Sequence, residues 1–462
     1  MNLLRAEGSF VFLCRDEVGK LAGYAVGARL RANGHVVSWV TQLVVHTEHQ
    51  NQGIASTLLG AAWCFSDDFA WGLATANPYA VRALEAATGR RCDPELSRKL
   101  ASDIGPAYRG AGEYLSAAKL TFEGGRSALD TKFFVSHAGV PEMIKAVSTD
   151  IPWTLGELAD GEEWFAVTFR EQVRRPVTMD DLRRLEEASS EIVADAYDRM
   201  AVAFDDSKHL WTKHTQSEVA ALWTKLHLIA GATVLDLGCG NGRHSTALAS
   251  RGAVVTAVDR SKPWLDTARE RALQQGCDVR FVEGDARVPL NLGPFDSVIC
   301  LYDVVGSFVS EGDNRAILEA IASSLKPGGT FALSVMNRQA ADEIAHHKGE
   351  IETNPNALMT ISPSSDMEQT GQIWNPDHLF LDVASGVVYR RERFTKGGDL
   401  PIETIVRDRR FYVNQIVRMC IESGLLVDEA RPVRLGYWAD DSGNFGSSNK
   451  EILVIGHRTT ET

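Results

Sequence analysis

The sequence predicts an α/β protein with more than one domain. Its 462 residues exceed the roughly 250–300 over which one hydrophobic core usually grows. After Thr233, strand-like apolar runs alternate with helix-like runs, which is typical of a parallel sheet with crossover helices. Residues 1–95 show another order, a hairpin followed by a strand, a glycine-containing loop and a helix, which indicates a smaller α+β domain.

The composition indicates a folded protein, and its charge disfavours broad binding to polyanions. Hydrophobic residues make up 44% of the chain and charged residues 24%. The net charge is −13, which disfavours broad binding to nucleic acid or anionic membrane. The first ten residues lack the apolar stretch of a signal peptide, and no run of 18 apolar residues follows, so we expect a cytoplasmic protein. The seven cysteines are scattered singly, so neither a disulfide framework nor a metal site is expected.

The front of the chain begins with strand-like runs at 9–14 and 22–29, separated by a charged turn, which predict a hairpin. A third strand, 36–45, leads into a helix whose apolar positions begin at Ile54. Residues 96–177 have mixed patterns and are predicted only as an extension of this domain.

A capping-box-like segment at Thr178–Asp181 predicts the start of a charged helix and the boundary of a second domain, 178–462. Beyond it the strand-like runs of the parallel sheet are followed by a hairpin that turns at Ser385-Gly386 and by a helix at 413–423. Two further strands, near 425–433 and 451–457, would close this sheet. The expected strands of the parallel part are 233–237, 254–258, 279–283, 297–301 and 330–335.

The most informative motif begins at Thr233, where TVLDLGCGNG joins an apolar strand to glycines and then to a helix. Glycines there allow a ligand to approach the backbone at the crevice of an open α/β sheet. Nineteen residues after Gly240, the next strand ends in Asp259, where a carboxylate can accept hydrogen bonds from ribose hydroxyls. The dinucleotide pattern G-x-G-x-x-G is not met, which disfavours a dehydrogenase.

These residues resemble the class I S-adenosylmethionine-dependent methyltransferases, with VLDLGCGNG, AVDRS, EGDA, FDSVICLYDVVGSF and LKPGGTFALSV in the family's order. The resemblance implies a Rossmann-like seven-stranded sheet with a small lid, and S-adenosylmethionine as cofactor. It also implies that Asp259 binds the ribose. The remaining implied cofactor residues are Asp236, Gly238, Gly240 and Gly242 at the methionine part, Asp285 and Ala286 at the adenine, and Leu301 and Tyr197 around the cofactor.

The acceptor loop follows the fourth strand of the motif. It has neither the N/D-P-P-Y-type tetrapeptide of nucleobase amino methylation nor a Pro-Cys nucleophile, and it resembles the loop of members that methylate amines and hydroxyls of small molecules. Tyr302 and Asp303 are the candidate catalytic residues, because methyl transfer needs positioning and, for a protonated acceptor, a base. A water-exposed acid and a packed aromatic ring are the alternatives. His244 is expected to hydrogen-bond locally.

The segment VVSWVTQLVVHTEHQNQGIASTLL resembles the acetyl-coenzyme-A motif of GNAT-type acetyltransferases. This resemblance implies coenzyme A binding at Gln50, Gly53 and Ala55, where a helix N-terminus favours a pyrophosphate, and at Asn77. The family's opening strand and helices have no counterpart before the hairpin, and the motif strand offers no glutamate as a base. A bifunctional enzyme, a methyltransferase with a silent front domain and a transfer-RNA modifying enzyme are the alternatives that remain.

Overall fold

A computed structural model describes most of the chain, and it contains two compact units. The first unit comprises Met1–Val193 and Gly398–Thr404, and the second comprises Ala194–Gly397 and Ile405–Thr462. The predicted domain bounds 1–95, 96–177 and 178–462 stay predictions. The described residues are 8–16, 19–63, 66–132, 136–178, 181–182, 201, 209–348, 356, 358, 363–365, 369, 379–395, 402–434, 436–439 and 449–460.

The first unit is built on a seven-stranded sheet of order β1-β2-β3-β4-β7-β6-β5. Its strands are β1 (Ser9–Arg15), β2 (Leu21–Ala32), β3 (His35–Val45), β4 (Ala70–Thr75), β5 (Lys119–Thr121), β6 (Ala128–Asp130) and β7 (Glu162–Phe169). Its helices are α1 (Ile54–Trp63), α2 (Pro78–Thr88), α3 (Pro94–Gly110), α4 (Glu113–Ser116) and α5 (Val140–Val147). The pairing is antiparallel except between β3 and β4, which run parallel.

The first sheet has a hydrophobic cluster on each face, because alternate residues of a strand point to opposite sides. Trp164 packs with α1 and α2 on one face, and its neighbour Phe165 packs with α3 on the other. The predicted hairpin and third strand are confirmed as β1, β2 and β3. Residues 96–177 supply β5, β6 and β7, so they continue the sheet that the hairpin begins.

The second unit is built on a seven-stranded sheet of order β10-β9-β8-β11-β12-β17-β16. Its strands are β8 (Thr233–Leu237), β9 (Val254–Asp259), β10 (Val279–Glu283), β11 (Phe295–Cys300), β12 (Leu325–Met336), β16 (Leu425–Val433) and β17 (Glu451–Arg458). Its helices are α6 (Thr215–Lys225), α7 (Arg243–Ala249), α8 (Lys262–Gln274), α9 (Glu311–Ser324), α10 (Arg338–Lys348) and α11 (Val413–Glu422).

The strand order of the second sheet reverses at β8, which has β9 on one side and β11 on the other. β8 through β12 run parallel, as the sequence predicts, and the two further predicted strands are β16 and β17, which run antiparallel. Connections leave such a point in opposite directions, so a crevice opens at the carboxyl ends of β8 and β11. The two seven-stranded sheets confirm the predicted α/β class.

A smaller sheet of three strands has the order β13-β14-β15, with β13 at Leu379–Asp382, β14 at Val387–Phe394 and β15 at Ile402–Arg409. The predicted turn at Ser385-Gly386 is confirmed. Gly386 has a φ of +80°, and the Asp382 carboxylate accepts hydrogen bonds from the backbone N–H groups of Ala384 and Ser385. An acid that bonds to the backbone two and three residues ahead stabilises a tight turn.

Candidate functional site

The glycine loop after β8 leaves an opening at one of its three glycines. Gly238, Gly240 and Gly242 all have positive φ, which favours glycine. A Cβ on Gly238 would overlap Val304, and one on Gly242 would lie 2.8 Å from the Ala268 Cβ. A Cβ on Gly240 would have no neighbour within 4 Å. The loop is therefore packed at both ends and open in the middle, where a ligand can approach the backbone.

Two carboxylates hold this loop from β8 and β9. The Gly240 N–H donates to Oδ2 of Asp259 over 2.8 Å, and the Ser261 N–H donates to Oδ1 over 2.9 Å. Asp236 accepts a hydrogen bond from the hydroxyl of Ser245 on α7. Burial raises the pKa of Asp259, and it raises that of Asp236 to about 6. Asp236 and Asp259, two of the three predicted cofactor acids, thus lie at the carboxyl edge of the sheet beside the open glycine.

The other predicted cofactor residues are distributed around the same edge. The Asp285 carboxylate binds the Arg287 guanidinium, with Oδ2 2.7 Å from Nη2. Burial would raise the pKa of Asp285, but Arg287 lowers it below its ordinary value. Ala286 packs on the main core cluster of the unit, and Leu301 is buried directly after β11. Tyr197 lies outside the described residues.

The turn after β11 has an unusual backbone. Tyr302 and Asp303 have φ values of +59° and +70°, a conformation that is uncommon for residues other than glycine. The Tyr302 N–H donates to Ser334 Oγ over 2.8 Å, which fixes the turn to β12. The next residue, Val304, is the one that packs against Gly238. Val304, the residue that follows the two candidate catalytic residues, therefore lies against the glycine loop.

Tyr302 belongs to a buried polar group centred on Glu218 of α6. The Glu218 carboxylate accepts hydrogen bonds from Arg243 Nη1 and His244 Nε2, each over 2.9 Å, and from the Tyr302 hydroxyl. The prediction of a local hydrogen bond for His244 is wrong, since Glu218 lies 26 residues earlier. Burial and the Arg243 guanidinium lower the pKa of His244 to about 4. Glu218 is a residue that sequence reasoning missed, because it precedes every motif.

Asp303 is buried, so the alternative of a water-exposed loop acid is wrong. Its side chain faces Asp408 and Arg410 of the β15 region and Arg390 of β14, and Glu451 of β17 lies nearby. Burial and the Asp408 charge raise the pKa of Asp303 well above its ordinary value. Sequence reasoning missed Glu451, because a single glutamate at the start of a strand does not belong to any recognisable motif.

In the first unit, the predicted coenzyme A loop lies between β3 and α1. Gln50 and Gly53 are exposed, Gly53 has a φ of +80°, and a Cβ there would have no neighbour within 4 Å. Ala55 lies in the first turn of α1. Asn77 caps α2, since its Oδ1 accepts the Tyr79 N–H over 2.9 Å. The loop thus leaves open space at a helix start.

β3 and β4 separate beside this loop. Their parallel pairing ends at Val40 and Leu73, although β3 remains paired with β2, and β4 with β7, beyond that point. We call this opening the strand gap. Thr41 is an extra residue in β3, because Val26 pairs with Gln42 and Gly27 pairs with Val40. Such bulges are frequent next to active sites.

Two ionisable groups missed by sequence reasoning lie at the start of the strand gap. The Tyr114 hydroxyl donates to the Thr41 carbonyl over 3.5 Å. Burial and the nearby Glu163 of β7 raise the pKa of Tyr114 to about 12, and burial raises that of Glu163. Both residues belong to the 96–177 segment, which has no motif.

Two kinds of feature are absent from the described residues. No helix in that part of the chain combines the length and the hydropathy needed to cross a bilayer. Within the same ranges, no three His, Cys, Asp or Glu side chains are grouped as a metal ion would require.

Comparisons with known proteins match the two sheets to two different families. Residues 234–329 match the family model described as a methyltransferase domain, and residues 2–89 match that of the acetyltransferase (GNAT) family. A ubiquinone biosynthesis O-methyltransferase from Idiomarina loihiensis is 32% identical over 166 residues, which are 32% of this chain and 67% of that protein. The chain belongs to the S-adenosylmethionine-dependent methyltransferases. Its N-terminal part carries a GNAT domain.

Further relatives of this methyltransferase differ in the atom named as acceptor. A ubiquinone biosynthesis O-methyltransferase from Xanthomonas euvesicatoria pv. vesicatoria is 40% identical over 120 residues, 26% of this chain and 48% of that protein. The cypemycin N-terminal methyltransferase from a Streptomyces species is 43% identical over 112 residues, 24% of this chain and 45% of that protein. The chain spans about half the length of these two curated relatives.

Among solved structures, the methyltransferase is similar to the CcbJ methyltransferase from Streptomyces caelestis, with a TM-score of 0.40, 18% identity, and coverage of 58% of this chain and 96% of that chain. The family matches confirm the predicted methyltransferase and GNAT domains and S-adenosylmethionine as the methyl donor.

Proposed function

We propose that the second unit methylates a nitrogen or oxygen atom of a small molecule at the carboxyl ends of β8 and β11. The turn at Tyr302 and Asp303 carries this proposal. It holds a buried carboxylate one residue from Val304, which packs on Gly238 of the glycine loop. The names of the relatives, one an O-methyltransferase and one an N-terminal methyltransferase, support both kinds of acceptor atom.

The cofactor would lie along the open glycine. Asp259 would accept hydrogen bonds from the ribose, since its carboxylate oxygens have capacity beyond the two backbone donors they already bind. S-adenosylmethionine supplies an electrophilic methyl group on a sulfonium when it is bound. The other residues proposed to hold it are Asp236, Gly238, Gly240 and Gly242 at the methionine part, Asp285 and Ala286 at the adenine, and Leu301 and Tyr197 around the cofactor.

The chain's own contribution to the transfer is positioning and the exclusion of water. The hydrogen bond of Tyr302 to Glu218 fixes the aromatic ring at the crevice, and the Arg243 guanidinium lies 4.2 Å from the centre of that ring. A rigid, dry crevice favours the in-line approach of an acceptor lone pair to the methyl group. A hydroxyl acceptor would need a base as well, and Asp303 is available for that role.

The cofactor part is tested by filling the opening of the loop. We expect Gly240→Val to lose binding of S-adenosylmethionine in calorimetry, because a side chain there occupies the proposed cofactor space. Gly276→Val is the matched control, since Gly276 also has a positive φ and open surroundings but follows α8. Equal affinities of the two variants would contradict the proposed location.

The acceptor part is tested by release of S-adenosylhomocysteine from the full chain. The panel consists of small primary amines and the alcohols of the same carbon skeletons. Turnover with either class supports the proposal. Turnover only with transfer RNA would instead support the nucleic-acid alternative.

A second activity, acetyl transfer from acetyl-coenzyme A, is supported in the first unit by the strand gap. Carbonyl and N–H groups of separated parallel strands are available to an extended ligand. The coenzyme's pyrophosphate would bind at Gln50, Gly53 and Ala55, where α1 begins. Glu163 is proposed as the base that the motif strand lacks, since its pKa is raised and it lies near Tyr114, which donates a hydrogen bond to Thr41.

This activity is tested with two glycine variants of the first unit. We expect Gly53→Glu to lose affinity for acetyl-coenzyme A, because it adds bulk and a negative charge where phosphates would bind. Gly34→Glu is the control, since Gly34 lies in the turn between β2 and β3 with a similar φ and the same open surroundings. Unchanged affinity in Gly53→Glu would leave the loop as an ordinary helix start.

A further inference from the structure

We propose that the acceptor of the second unit is an amine, which binds as an ammonium ion between the carboxylates of Asp303 and Glu451, beside the indole of Trp438. We call these two carboxylates the acidic pair. The inference rests on the proposed methyl transfer and narrows its acceptor class from nitrogen or oxygen to nitrogen.

The acidic pair lies at the edge of the sheet where the cofactor loop lies. Asp303 follows β11 at its carboxyl end, and its N–H donates to the Ser334 carbonyl of β12 over 3.4 Å. Glu451 opens β17, which runs antiparallel to β12, and it pairs with Met336 at the carboxyl end of β12. The two carboxylates are therefore carried by β11 and β17, which flank β12 at this edge, and the charge of Glu451 raises the pKa of Asp303.

Both carboxylates are buried, and each has an oxygen without a partner. Asp303 is 9% exposed and Glu451 is 4% exposed. Within the described part of the chain, Oδ1 of Asp303, Oε2 of Glu451 and the indole N–H of Trp438 make no hydrogen bond. A buried polar group left unsatisfied is costly, and surviving examples call for an explanation such as a ligand.

The cations near the acidic pair already bind another carboxylate. Arg390 Nη2 lies 2.8 Å from Oδ2 of Asp408, and Arg410 Nη2 lies 3.3 Å from the same oxygen. Asp408 thus binds both guanidinium groups, and each of them also lowers the pKa of Asp303. An incoming ammonium would add a positive charge and supply N–H donors to the unpaired oxygens of Asp303 and Glu451, whereas an alcohol would add no charge.

Aromatic rings complete the cation's surroundings. Trp438 is fully buried, with its ring centre 5.9 Å from that of Tyr302. Its N–H lies near the Glu451 carboxylate, whose pKa it lowers. Ring faces attract ammonium ions, and aromatic side chains often surround such ligands.

The transfer can be written in balanced steps. The bound ammonium gives one proton to Asp303, which becomes a neutral acid, and the nitrogen regains its lone pair. The lone pair then forms the bond to the methyl carbon, while the electrons of the carbon–sulfur bond remain on sulfur. The products are a methylated ammonium, a protonated Asp303 and S-adenosylhomocysteine. The raised pKa of Asp303 suits this proton transfer, because a stronger base takes a proton from an ammonium more readily.

Sinefungin provides a test that does not require the acceptor to be known. It is an analogue of S-adenosylmethionine with a carbon bearing an ammonium in place of the sulfur bearing the methyl, so its positive charge points to the acceptor position. S-adenosylhomocysteine has no charge there. The ratio of the two affinities, measured by calorimetry on the full chain, reports the charge of the acceptor side.

We expect the parent to prefer sinefungin, and Asp303→Asn and Glu451→Gln each to lower that preference about tenfold, since a charge-assisted hydrogen bond is lost. Asp296→Asn, at the opposite end of β11, should leave the ratio unchanged. An unchanged ratio in both acidic-pair variants, with S-adenosylhomocysteine still bound, would overturn the inference. Loss of S-adenosylhomocysteine binding in the parent would instead contradict the proposed function. If a variant does not fold, a parent that binds both compounds equally overturns the inference.

Discussion

The backbone N–H of Gly240 donates to the carboxylate of Asp259 over 2.8 Å, which joins the loop after β8 to the end of β9. The second carboxylate oxygen accepts the Ser261 N–H at the start of α8. One side chain thus connects the glycine loop, the end of β9 and the start of α8. The proposed ribose contact would add to an arrangement that is already fixed before a ligand arrives.

The first prediction concerns Asp259→Ala. We expect its affinity for S-adenosylmethionine to fall by about tenfold to a hundredfold, as removal of a charged acceptor typically costs ~1.5–3 kcal/mol. Calorimetry on the full chain measures this. Asp266→Ala is the control, because Asp266 is an exposed residue of α8 that pairs with Lys262 and Arg269. Parent-like binding by Asp259→Ala would remove the ribose assignment.

The second prediction concerns the buried polar group around Glu218. Glu218→Ala leaves Arg243 and His244 buried without their shared acceptor. We expect the free energy of unfolding in urea to fall by ~3–5 kcal/mol, the usual cost of removing one partner of a buried pair. Glu422→Ala breaks the exposed pair with Arg315 and should cost less than about 1 kcal/mol. Similar losses in both variants would argue against a special role for the buried group.

The third prediction concerns pH and Glu451, whose pKa burial raises to about 8 from an ordinary value of 4.5. A raised pKa in the folded state means that the stabilising contribution of the group is full below pH 4.5 and is lost as pH rises through 8. We expect the difference in unfolding free energy between the parent and Glu451→Gln to shift against the parent between pH 5 and 8. Urea titrations at several pH values measure it. If the unfolding free energies of the two proteins change in parallel with pH, the pKa of Glu451 is not raised.

The fourth prediction concerns Glu163→Gln in the first unit. If Glu163 is the base, the variant should lose acetyl-transfer rate by about a hundredfold while it keeps its affinity for acetyl-coenzyme A, because general-base groups act on the acceptor. Glu162→Gln is the matched control. Glu162 is the preceding residue of β7, and its side chain binds Arg126. Equal effects on rate in the two variants would exclude Glu163 as the base.

Much of the fold could be predicted because it depends on local sequence patterns. The apolar runs of β8 and β9 and the glycines between them are contiguous in sequence, and the structure reproduces their bounds within one residue. The Thr178 hydroxyl accepts the Asp181 N–H over 3.3 Å, and the Thr178 N–H donates to the Asp181 carboxylate over 2.9 Å, as a capping box requires. Signals of this kind depend on neighbours three or four residues away.

The missed residues depend on contacts between distant parts of the chain. Glu218 reaches His244 across 26 residues and Tyr302 across 84, so no spacing rule could join them. Asp303 is a catalytic candidate in the sequence, but its burial could not be predicted, because it depends on residues of β14 and β15 that pack against it. Glu163 of β7 was missed for the same reason, since its raised pKa comes from burial in the folded unit and not from a local motif.

The position of β17 has a consequence for how the protein is made. It follows the other six strands of its sheet along the chain, yet it lies inside the sheet, between β12 and β16. During synthesis, β16 therefore has no neighbour to pair with until residues 451–458 have left the ribosome, and β12 keeps an open edge until then. The seven strands of the first sheet are all translated by residue 169. Nascent chains stalled between these two points should show a protease-resistant first unit and a protease-sensitive second one.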